Sequence, residues 1–77
     1  RQADIKKLKE FFARMETALE NLDTDDMEEV ICDMEKYSYS KEHEGYFEKL
    51  KNAVEDIDTE QCEEILAAWK ECAGKTE

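Results

Sequence analysis

Seventy-seven residues allow one small domain with a modest core, and a formal net charge of −11 with no basic stripe weighs against nucleic acid and anionic membrane surfaces as partners. With no proline, only Gly45 and Gly74, and an abundance of Glu, Lys, Leu and Ala, the composition predicts an all-α domain spanning residues 1–77. No run approaches the roughly 20 apolar residues of a membrane span, no signal-peptide core is present, and Cys32, Cys62 and Cys72 are odd in number without C-x-x-C pairing, so a reducing cytoplasm is expected and neither a disulfide framework nor a zinc site is. The chain opens at Arg1 without methionine, as a piece excised from a longer protein would.

The first helix is expected from about Ala3 to Leu22. Ile5, Leu8, Phe12, Met15, Leu19 and Leu22 recur every three or four residues and make one apolar seam, with Lys6, Lys7, Lys9, Glu10, Arg14 and Glu16 set around it. Asp23 ends that helix and caps the next, where Asp25, Asp26, Glu28 and Glu29 meet the positive end of the helix dipole. The second helix carries Met27, Val30, Ile31 and Met34 to about Tyr37. Ser38-Tyr39-Ser40 breaks the pattern, and Ser40 is the expected N-cap of a third helix running through Phe47, Leu50, Val54 and Ile57. Asp58 opens the fourth, with Gln61 at capping-box spacing. Cys62, Ile65, Leu66, Trp69 and Cys72 form its seam, and Gly74 is the expected C-cap residue.

The second half repeats the first at an offset of 35 residues: Phe12, Met15, Leu19 and Leu22 become Phe47, Leu50, Val54 and Ile57, and Asp23-Thr24 becomes Asp58-Thr59. Such a repeat means one supersecondary unit used twice. Two helical hairpins, about 3–37 and 41–73, each carry an apolar face that neither can hide alone, which predicts an up-down four-helix bundle with crossing angles near 20°. A tetratricopeptide-like peptide-binding scaffold is the alternative, although the early Trp, Leu, Gly and Tyr and the late Pro of that unit are missing.

Few residues suggest chemistry. The acidic groups around Asp23 and Asp56 resemble calcium-loop fragments, but the loop's sixth and twelfth places hold Glu28 and Met34 in one and Gln61 and Ala67 in the other. His43, the single histidine, is the one candidate phosphoacceptor, and its acidic and aromatic neighbours favour a packing or rim role. Cys62 and Cys72 sit on the seam as apolar fillers, and Cys32 lies beside it. Phe11, Tyr37, Tyr39 and Tyr46 exceed what a narrow seam requires and form a candidate docking patch for a protein partner, able also to pair two copies, so a monomer or weak dimer is expected. No catalytic triad, phosphate-cradling loop or metal-ligand spacing occurs, and neither catalysis nor a cofactor is expected.

The stretches LENLDTDDMEEVICDMEKYSY (19–39) and YFEKLKNAVEDIDTEQCEEILAAW (46–69) resemble the C-terminal helical segments of bacterial hybrid sensor histidine kinases, beyond their receiver domain. The resemblance implies a domain similar to histidine phosphotransfer bundles, which relay phosphoryl groups to and from receivers. In that family a mid-helix His is followed three residues later by Lys and then by Gly. After His43 those places hold Tyr46 and Phe47, so no phosphotransfer residue carries over. The resemblance thus implies a non-catalytic interaction or regulatory module of a two-component signalling protein, docking on a receiver or kinase domain of the same chain, with phosphotransfer through His43 as the alternative.

Overall fold

The computed structural model describes residues 2–75, which form four helices: α1 (Ile5–Glu20), α2 (Thr24–Met34), α3 (Lys41–Glu55) and α4 (Thr59–Lys75). Consecutive helices pack against each other and α1 closes on α4, giving a ring of four helices around one core. This is the all-α four-helix bundle that the repeated seam predicts, and the closed ring leaves no open superhelical array of the tetratricopeptide kind. Just before α1, Ala3 N–H donates to the Ser38 carbonyl at 3.1 Å and ties the start of the described chain to the crossover between the hairpins.

Burial follows the repeat place by place. Phe12 and Phe47, Met15 and Leu50, Leu19 and Val54, Met27 and Cys62, Val30 and Ile65, and Met34 and Trp69 are all buried in one contiguous cluster. The physical reason is that equal seams on two like hairpins hide most apolar area by facing each other, and burial of apolar surface dominates the stability of so small a domain.

Helix ends depart from the sequence reading in instructive ways. Leu22 and Ile57, expected as the last seam positions of α1 and α3, lie outside those helices and are 70% and 60% exposed. Each takes a left-handed backbone, with φ of 52° and 53°. The cause is a Schellman stop, in which Leu22 N–H donates to Leu19 O and Asp23 N–H to Ala18 O, repeated as Ile57 to Val54 and Asp58 to Ala53. The left-handed residue swings its side chain off the seam. Gly74 lies within α4, one residue before its last described residue, and Ser40 occupies the N-cap of α3 without a side-chain hydrogen bond.

Asp23 and Asp58 each serve two helices. Their N–H groups close the preceding Schellman bond, while their carboxylates accept from Asp26 N–H and Gln61 N–H, both at 3.1 Å. Because the Asp58 N–H is already taken, Gln61 does not complete the reciprocal arm of a capping box. Asp23→Ala and Asp58→Ala are each expected to lower stability by about 1 kcal/mol in urea denaturation. A left-handed non-glycine residue costs about 1–2 kcal/mol, partly recovered by its smaller backbone entropy when unfolded. Leu22→Gly and Ile57→Gly are therefore expected to raise stability by roughly 0.5–1 kcal/mol each, read as a higher thermal midpoint. A lowered midpoint would show that the exposed side chains support the fold.

Candidate functional site

The bundle has two dissimilar ends. At the one formed by the start of α3 and the end of α4, Trp69 is fully buried and donates its indole N–H to His43 Nδ1 at 2.8 Å. That bond fixes the neutral imidazole with its proton on Nε2, since a ring protonated on Nδ1 has no lone pair to offer there. His43 is 8% exposed, borders a shallow groove beside Ala3, Ile5 and Tyr39, and occupies the repeat position of Leu8. It is an apolar slot filled by a ring whose Nδ1 is satisfied.

The aromatic residues expected to form a docking patch are held in this packing. Phe11 is a core residue that meets Tyr37 edge-on at 5.6 Å. Tyr39, half-buried, donates its hydroxyl to the Met34 carbonyl at 2.7 Å and lies against Phe47 and Trp69, and desolvation raises its phenol pKa. Tyr46 stacks on Trp69 at 6.3 Å with the rings 10° apart. The structure brings Tyr39, Tyr46 and His43 together around one indole, while Phe11 and Tyr37 pair at a separate place beside Lys7.

Two of the three thiols are held back from ionising. Burial pushes Cys62 up to about 11, and Cys72, whose thiol donates to Glu42 Oε1 at 3.2 Å, is raised by that hydrogen bond and by desolvation. Both are kept as thiols, the poor nucleophilic form. Among the described residues no group of three or more His, Cys, Asp and Glu converges to hold a metal, and no helix is long and apolar enough to cross a membrane.

The opposite end carries the two interhelical turns, because α1 and α3 finish there and α2 and α4 begin there. Residues 20–29 and 55–64 hold twelve of the 22 acidic residues and none of the 11 basic ones, and all twelve are exposed. Ion pairs link the helices elsewhere, at Arg14–Asp33, Lys51–Glu35 and Lys70–Glu16, each 2.9 Å. Among the described residues none involves those acids. Their mutual repulsion shows at Asp26, whose carboxyl is raised above its usual range first by the charge of Asp23. Leu22 and Ile57, the large apolar side chains most open to solvent, stand within this acidic field.

A groove between α1 and α4 reaches the same end. Its floor is Leu19, Leu66 and Ala67, its walls are Glu16, Glu20, Glu63 and Lys70, and its volume is about 260 Å³. That is below the roughly 300–1,000 Å³ of small-molecule sites and suits an inserted side chain better than a ligand. The seam spacing misses this end because it counts Leu22 and Ile57 as core. The signal that finds them is the immediate following Asp: a residue squeezed between a helix stop and an N-cap, with no glycine present, must itself turn left-handed. Compared with protein-family models, curated proteins and solved structures, the chain matches none.

Proposed function

We propose that the chain is a non-catalytic helical interaction module of a two-component signalling protein, docking on a receiver or kinase domain of the same chain. The observation that carries the reading is the pair of exposed apolar side chains, Leu22 and Ile57, set in the acidic turn end of an otherwise well-buried bundle. A single exposed apolar side chain is ordinary on a soluble domain; what favours a contact surface is that the same position is exposed in both repeats, amid acids. The signalling setting is supported by the resemblance of residues 19–39 and 46–69 to the C-terminal helices of hybrid sensor histidine kinases.

Phosphotransfer through His43 draws no support from its surroundings, where Nδ1 accepts the Trp69 indole and Tyr46 and Phe47 stand in place of the motif's Lys and Gly. Calorimetric titration with isolated receiver and histidine-kinase domains tests the reading, together with alkaline mass analysis after incubation with phosphorylated receiver. Binding to one of them with an unmodified His43 is the expected result. A phosphoryl adduct on His43, or no binding to either domain, contradicts it.

A further inference from the structure

We infer that the turn end, with the groove leading to it, is the docking face, and that its occupant is a basic amphipathic helical segment of a protein partner; this rests on the interaction-module reading and names the surface and the partner chemistry. Both repeats break the same local rule at the same place. Where a helix stop favours glycine, each repeat carries a large aliphatic residue, Leu22 or Ile57, in a left-handed backbone. Neither α1 nor α3 has a base in its last turn, a trait that α2 shares, and Glu20, Glu55 and Asp56 add negative charge at this end. Capping accounts for Asp23 and Asp58, but not for these three. A local rule broken against stability, twice, at one exposed position is what a binding surface leaves in a sequence.

The chemistry selects the occupant. Two apolar points and an apolar-floored groove take aliphatic anchors of the kind a helix presents at i, i+3, i+4 and i+7. The acids around them attract lysine and arginine and repel nucleic acid, anionic lipid and a second copy of this end.

The test uses the isotope-labelled chain and a synthetic helical peptide of about 15 residues built from Leu on one stripe and Lys elsewhere, with Glu replacing Lys in a control. The expected result is shifts of amide resonances at residues 19–26, 55–61 and 63–67, affinity that falls as salt rises, and no binding of the Glu peptide. Leu22→Gly with Ile57→Gly is expected to weaken binding at least about tenfold, since two aliphatic anchors are lost. Leu22→Asn with Ile57→Asn, which tolerate the left-handed backbone, should do the same. Unchanged affinity in both double variants, shifts centred on Trp69 and Tyr46, or equal binding of the Glu peptide would overturn the assignment. If the receiver and kinase domains fail to bind while the Lys peptide binds at the turns, the signalling reading falls and this surface stands. If a receiver binds with its shifts away from the turns, the reverse holds.

Discussion

Trp69→Ala is expected to remove a large share of the stability of the domain, read as a much lower urea midpoint. Removing a buried tryptophan costs about 3–5 kcal/mol, against roughly 4–12 kcal/mol of total stability for a chain of this length. Trp69 has no exposed surface, meets Phe12 edge-on at 5.1 Å and Tyr46 face-on, and is the donor to His43. Its loss opens a cavity and also strands His43 Nδ1 without a partner inside the bundle.

The two contributions can be separated. Trp69→Phe keeps an aromatic ring and removes the donor; His43→Leu restores the residue type that the first repeat carries at Leu8 and removes the acceptor. Each single change leaves one buried polar group unpaired, whereas the double change leaves none. The double variant is therefore expected to be more stable than the sum of the single losses predicts, by about 1 kcal/mol or more, in urea denaturation followed by far-ultraviolet circular dichroism. Simple additivity would mean that the indole–imidazole bond contributes little.

Met15→Ala and Leu50→Ala are expected to cost about 2–5 kcal/mol each. These residues hold equivalent places in the two repeats, at the middle of α1 and α3, and both are fully buried. If the halves are structural equals, the two losses should agree within about 2–3 kcal/mol, the spread expected where sites relax differently around a similar void. A near-zero cost for either one would mean that only one hairpin contributes its seam to the core.

The core was legible in the sequence because it rests on side-chain period alone: a seam that recurs every three or four residues has one way to be buried. Asp23 and Asp58 were legible for a local reason as well, since the carboxylate that caps a helix lies within three residues of the N–H it satisfies. Leu22 and Ile57 were not found by period counting, because one residue of left-handed backbone reverses the direction that the seam assigns. The acidic and aromatic neighbours of His43 favour a packing or rim role, and its repeat position, that of the buried Leu8, points inward. The aromatic residues Phe11, Tyr39 and Tyr46 read as surplus for a seam, and the structure uses them around Tyr37 and Trp69, contacts between distant segments that no local pattern encodes. The acid-only stretches at 20–29 and 55–64 were visible as charge, but only the antiparallel course of the helices gathers them at one end.

The most direct measurement is the paramagnetic relaxation that a soluble, neutral spin probe causes in the methyl groups of Leu19, Leu22, Val54 and Ile57. Leu22 and Ile57 lie three residues beyond their partners in the same two turns. Strong relaxation at Leu22 and Ile57, with Leu19 and Val54 protected, is the predicted result. Protection of all four would return the pair to the core and remove the apolar tips from the acidic end; relaxation of all four would mean that the two hairpins do not close on each other.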